Sequence, residues 1–140
     1  SSVFGKFGSR SKGGNFVETI LRSARSGRPV RVVSDIWMSP TYTMDVAAVV
    51  DELTQIGATG LYHCNNRGRC SWFEFASEAF RIAGVEAPIE PVASECMVRK
   101  ARRTRDSSMS NSSIETILGH PLRHWQDSLR AYFVEKGPSD

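Results

Sequence analysis

The stretch from Val30 to Leu53 sets the tightest limits on what this chain can fold into. Val30, Val32 and Val33 are β-branched and lie between Pro29 and the polar pair Ser34-Asp35, the composition of a short buried strand. Pro40 drives Ser39 out of the helical region, so the chain crosses Ser39-Pro40-Thr41 extended. Thr43 is placed to cap a following helix whose apolar side is Val46, Val49, Val50 and Leu53. A strand, a fixed loop and a helix, in that order, are the parts from which α/β proteins build ligand sites. Ser39-Pro40-Thr41 reads equally well as a plain connector.

The same alternation continues on both sides. Ser1 to Phe4 reads as the tail of a strand and Gly5 to Gly14 as a loop, with neither a G-x-x-x-x-G-K-[ST] nor a G-x-G-x-x-G order. Asn15 and Glu18 form a capping box, opening a helix with the stripe Phe16, Val17, Ile20, Leu21 and Ala24, which Gly27 ends. Leu61 to Cys64 is a strand candidate and Asn65 to Arg69 a turn. Ser71 and Glu74 make a second capping box, before a helix carrying Phe75, Ala76, Ala79, Phe80 and Ala83 and stopping at Gly84. Pro88 to Val92 reads as a fourth strand, and Ala93 to Ser110 as a basic loop with a short strand near Ser107-Met109. Ser112 and Glu115 suggest a third capping box. Pro121 suits the first turn of a last helix, on which Leu122, Trp125, Leu129 and Phe133 share a side. This rhythm predicts an α/β fold of few, short, mainly parallel strands with flanking helices, in a single portion spanning 1–140 with a tail at 137–140.

Composition excludes some functions. No apolar run reaches membrane-spanning length. The net charge of +3 is mild and gathers in Arg99, Lys100, Arg102, Arg103 and Arg105, without the interleaved aromatics of a nucleic-acid surface. Three cysteines, Cys64, Cys70 and Cys96, show no metal-finger spacing and point to a reduced, cytoplasmic setting. Ser1 stands where a start methionine would, and the Val3-Phe4 strand has no visible beginning, so the chain reads as a piece of something longer.

Taken in order, several motifs resemble the C-terminal part of dTDP-4-dehydrorhamnose reductase, an extended short-chain dehydrogenase/reductase. They are Gly14-Asn15-Phe16-Val17, Val32-Val33-Ser34-Asp35, Ser39-Pro40-Thr41 with Asp45, Gly60-Leu61-Tyr62-His63, Ser71-Trp72-Phe73-Glu74-Phe75-Ala76, and Arg103 with Ser107 and Met109. The resemblance implies the substrate-binding, C-terminal part of a Rossmann-type NAD(P)-binding fold. It implies reduction of the 4-keto group of dTDP-6-deoxy-L-lyxo-4-hexulose to dTDP-L-rhamnose with NADPH or NADH. The family's Tyr-x-x-x-Lys pair and Gly-rich fingerprint fall upstream of Ser1. This chain is therefore expected to carry no catalytic group and to meet the cofactor through a Rossmann half encoded elsewhere.

By the same resemblance, Phe4, Asn15, Phe16, Trp37, Pro40, Thr41 and Arg103 are the substrate-binding candidates. Asn15 suits a pyrophosphate or sugar oxygen and serves equally as a helix cap. Phe4, Phe16 and Trp37 offer stacking faces, Phe16 also fits the core, and Trp37 is expected in a loop. Arg103 would grip a diphosphate bidentately, while its basic neighbours suit a solvated loop. His63 reads as a hydrogen-bonded structural histidine at a strand end. Tyr132 and Lys136 share the Y-x-x-x-K spacing, but on the last helix, where it reads as coincidence. Ser2, Ile36, Thr104 and Ser110 depart from the family's Trp, Gln, Pro and Asp. The partners implied are a dTDP-sugar, the Rossmann half and a second copy in a homodimer, with neither membrane nor nucleic acid. A non-catalytic relative on the same scaffold is the rival reading, and an RNA-binding module using Arg99 to Arg105 a third.

Overall fold

The computed structural model describes residues 2–8, 14–97 and 104–137. The elements run β1 (Ser2–Phe4), α1 (Phe16–Ala24), β2 (Val30–Val33), β3 (Trp37–Met38), β4 (Pro40–Tyr42) and α2 (Thr43–Gln55). They continue with β5 (Cys70–Ser71), α3 (Trp72–Ala83), β6 (Ile89–Val92), β7 (Asp106–Ser107), α4 (Ser112–Leu118) and α5 (Trp125–Lys136). The fold is α/β, as expected, but its strands form three small sheets: β1-β4, β2-β6 and β5-β3-β7. All pairings are parallel except β3 with β5. Pro91 sits opposite Val32 in the β2-β6 register. Lacking an N–H, it marks β6 as an edge.

Helix starts follow local chemistry where a cap exists. Asn15 and Ser71 each accept the N3 backbone N–H, and Glu18 and Glu74 reach back to the cap backbone, completing both capping boxes. The helices then turn Val17, Ile20 and Ala24 (α1) and Phe75, Ala76, Ala79 and Phe80 (α3) inward. Gly84 closes α3 in the left-handed conformation, φ 63°, which any Cβ would strain. These faces meet β1, β2, β4 and α5 in one core. At its centre Phe4 stacks on Tyr42 (centroids 5.4 Å apart) and meets Tyr132 edge-on at 5.6 Å. A smaller cluster holds Val49, Ile114 and Leu122.

Several local expectations fail for tertiary reasons. Leu61 to Cys64 forms no strand: Leu61 is exposed, and Tyr62 turns toward the smaller cluster. His63 is exposed there and ends no strand. Thr43 is the first residue of α2, not its cap; Tyr42 is the N-cap and makes no side-chain cap hydrogen bond. Val50 faces solvent, leaving Val49 as the buried residue of α2. Ser112 and Glu115 form no capping box, because the Glu115 carboxylate instead accepts Leu122 N–H (2.9 Å) and pairs with Arg67 (3.4 Å). Pro121 and Leu122 precede α5, whose N-cap is His124. Tyr132 is fully buried, whereas Phe133, on the expected apolar side, is only half-buried. Trp37 lies on β3, not in a loop.

Asn66 joins the layers around α2. Its Oδ1 accepts Tyr42 N–H at 2.7 Å, and its Nδ2 donates to Asp45 (2.6 Å), Ser128 (2.7 Å) and the Arg123 carbonyl (3.3 Å). Among the described residues no helix is long and apolar enough to cross a membrane.

Candidate functional site

A hollow of about 690 Å³ lies near the strand ends. One wall is the end of β1 and the residues after it: Val3, Phe4, Gly5, Phe7 and Gly8. The other is formed by the first residues of three helices: Asn15 and Phe16 at α1, Thr43 at α2 and Trp72 at α3. They converge because β1 pairs with β4, which runs straight into α2, while the Ser71 cap delivers Trp72 beside Phe16.

This convergence has an electrostatic consequence. Helix N-termini carry free N–H groups and a partial positive charge where no side chain caps them, and that condition falls on α2, because α1 and α3 are closed by their capping boxes and Trp72 N–H donates to the Ile36 carbonyl at 3.3 Å. Two of the ends carry capping carboxylates, Glu18 and Glu74, and the third carries Asp45 in its first turn, paired with Arg123. The α2 end carries no side-chain cap hydrogen bond, and it presents the Thr43 side chain to the hollow. Beside it lies an aromatic surface: Phe16 and Trp72 meet edge-on with centroids 4.5 Å apart, and Phe7 is 86% exposed. Planar rings so placed suit a nucleobase or a sugar face.

Gly5 is required by close approach. A Cβ there would lie 2.1 Å from Thr43 Oγ1, with no φ strain involved. Asn15 is more occupied than a free ligand group: its Nδ2 donates to the Gly5 carbonyl (2.9 Å) and to the Tyr132 hydroxyl (3.2 Å), and its Oδ1 accepts Glu18 N–H (3.1 Å). Burial pushes the Tyr132 hydroxyl above its ordinary pKa.

Of the seven expected substrate residues, the structure brings Phe4, Asn15 and Phe16 together at this hollow. Pro40 and Thr41 are buried in β4, opposite Ser2 and Val3 of β1, so they back the wall rather than line it. Trp37 is elsewhere, half-buried on β3 with the Arg69 guanidinium 4.6 Å from its ring. Arg103 lies outside the described residues, as do Arg99, Lys100 and Arg102. The lining residues absent from the seven candidates are Val3, Gly5, Phe7, Gly8, Gly14, Thr43 and Trp72. Trp72 had a usable signal, since it follows a capping Ser at a helix start; Gly5 and Thr43 had none, because only the β1-β4 pairing brings them together.

A second, smaller cavity of about 200 Å³ lies between α2 and the segment before α5. Its charges are already paired: Asp45 with Arg123 at 2.8 Å and Glu52 with His120 at 2.8 Å. It offers a charged ligand less than the hollow does.

Comparison with known proteins matches the fold. A family model described as the RmlD substrate binding domain matches residues 1–136. The spore coat polysaccharide biosynthesis protein SpsK of Bacillus subtilis (strain 168) is 42% identical over 124 residues, covering 89% of this chain and 43% of its own length. A dTDP-4-dehydrorhamnose reductase of Streptomyces griseus is 35% identical over 130 residues, covering 86% of this chain and 42% of its own. The crystal structure of a dTDP-4-dehydrorhamnose reductase from Bacillus anthracis in complex with NADP superposes with a TM-score of 0.85 at 31% identity. That match covers 95% of this chain and 46% of the other. The chain thus spans less than half the length of these relatives.

Proposed function

The chain belongs to the family of the RmlD substrate binding domain, and on that premise we propose that its hollow binds the diphosphate and base of a dTDP-sugar. The observation that carries this reading is the uncapped N-terminus of α2 at a hollow that the starts of α1 and α3 line with an aromatic surface. The diphosphate sits toward the α2 terminus and the Thr43 hydroxyl, where its charge is best compensated. The thymine or sugar ring lies along Phe16, Trp72 and Phe7. Arg103, on its basic segment, supplies the bidentate cation.

In this reading residues 1–140 form one substrate-binding portion of a reductase acting on dTDP-6-deoxy-L-lyxo-4-hexulose to give dTDP-L-rhamnose. The relatives named as dTDP-4-dehydrorhamnose reductases support that reaction. The chain's own work is to bind the nucleotide, exclude water with its aromatic side, and hold the sugar so that C4 faces one direction. Hydride comes from NADPH or NADH; the sequence has no G-x-G-x-x-G order, so the nicotinamide is assigned to a Rossmann half outside these residues.

Thermal denaturation with added dTDP tests the reading. At a hundredfold excess over the dissociation constant, dTDP adds about 2.7 kcal/mol of stability, a rise of roughly 8 °C in a domain of this size. Orthophosphate at equal concentration is expected to give little. Absence of any rise at millimolar dTDP contradicts it.

A further inference from the structure

The pair Tyr132 and Lys136 has no place in the reading above, yet it connects to Asn15, which lines the hollow. Tyr132 is fully buried on α5, edge-on to Phe4. Its oxygen accepts Asn15 Nδ2 at 3.2 Å, and its hydroxyl lies 3.5 Å from Glu18 Oε1, the outer limit of a donated bond. Lys136, one turn further along α5, places Nζ 3.0 Å from the same Oε1. The other Glu18 oxygen accepts Asn15 N–H at 3.4 Å. Asn15 in turn donates its second amide hydrogen to the Gly5 carbonyl at 2.9 Å. The result is a continuous polar chain, Lys136 to Glu18 to Tyr132 to Asn15 to Gly5, ending in the backbone that walls the hollow.

Two features make this chain more than a surface ion pair. Lys136 and Glu18 side chains are only 26% and 20% exposed, so water screens them weakly. Both Asn15 amide hydrogens are used inside the protein, which leaves the side chain fixed before any ligand arrives.

We infer that Tyr132 and Lys136 are positioning residues of the hollow: through Glu18 and Asn15 they lock the end of β1 against the start of α1. The Y-x-x-x-K spacing serves here to set two groups on one helix face toward α1, at i and i+4. Neither residue touches the ligand. Their effect on it passes through Asn15 and the Gly5 carbonyl, and it rests on the dTDP-sugar reading only for the identity of what is bound.

The test compares Tyr132→Phe, Lys136→Met and Lys136→Arg with the unaltered chain. The readouts are dTDP affinity by calorimetry, the Asn15 side-chain amide resonances by NMR, and the melting temperature. Ile114→Val, in the smaller core cluster away from the hollow, controls for lost stability alone. Tyr132→Phe and Lys136→Met are expected to weaken dTDP about three- to tenfold and to move the Asn15 amide signals, while Lys136→Arg largely restores both. Ile114→Val is expected to lower the melting temperature and leave affinity and the Asn15 signals unchanged. Unaltered affinity and unmoved Asn15 signals in both Tyr132→Phe and Lys136→Met overturn the inference. If the unaltered chain binds no dTDP, the functional reading fails instead, and the Asn15 signals in Lys136→Met alone decide this one.

Discussion

Asn66→Ala removes the side chain that ties β4 to α2 and α5. Asn66 is 2% exposed and makes four hydrogen bonds. Asp45 keeps Arg123 and Ser128 after the change, and Ser128 keeps Asp45 and the His124 carbonyl. The group left without its partner is the Tyr42 N–H, inside the parallel β1-β4 pair. An orphaned buried N–H costs about 1–3 kcal/mol, and the lost bond to the Asp45 carboxylate roughly 1.5 more. We therefore expect a loss of about 3–4 kcal/mol, which lowers the melting temperature by roughly 10 °C in a chain of this length. Urea denaturation followed by circular dichroism measures it, with the midpoint falling and the slope unchanged. Asn66→Asp sharpens the test. It keeps an acceptor for Tyr42 N–H but sets a second carboxylate against Asp45, so its deficit is largest at neutral pH and shrinks on acidification as one carboxyl takes up a proton. A loss below about 1 kcal/mol for Asn66→Ala would refute the assignment of Asn66 as the joint.

Other perturbations give further checks. Gly5→Ala must displace Thr43, whose Oγ1 would lie 2.1 Å from the new Cβ; we expect about 1–3 kcal/mol of destabilisation and weaker dTDP binding, partly relieved by Thr43→Ala, as read by melting and titration of the single and double variants. His120 is held above its ordinary pKa of 6.5 chiefly by its hydrogen bond to Glu52. A raised folded-state pKa means that its contribution is complete below 6.5 and is lost as pH rises through the raised value. An NMR titration should find the midpoint above 6.5, and His120→Gln should flatten stability across that interval. With a thiol reagent, exposed Cys96 should react first. Cys64, half-buried and raised by desolvation and then by Asp45, should react more slowly. Cys70, buried and pushed well up by desolvation, should react only on unfolding.

What was legible in the sequence was what short-range chemistry decides. The Asn15–Glu18 and Ser71–Glu74 boxes sit three residues apart and form as read, fixing where α1 and α3 begin. Ser112–Glu115 has the same spacing and fails, because Arg67 and Leu122, distant in sequence, claim the Glu115 carboxylate. Val30 to Val33 and Ile89 to Val92 were readable as strands, but no local signal told that they pair with each other. The site suffered most from this limit. Phe4, Asn15 and Phe16 were candidates through the family resemblance; Thr43 and Trp72 arrive by strand pairing and helix packing. Helical spacing gave no sign of the bonds Tyr132 makes, since its partners Asn15 and Glu18 stand more than a hundred positions away.

The central claim is that dTDP-sugars bind where three helix starts face the end of β1. Amide chemical-shift mapping of the ¹⁵N-labelled chain during titration with dTDP tests it most directly. The account predicts saturable shifts concentrated at Gly5, Phe16, Thr43 and Trp72, with His120 and Arg123 unmoved. Shifts confined to the cavity around His120, or none at any concentration, would contradict it.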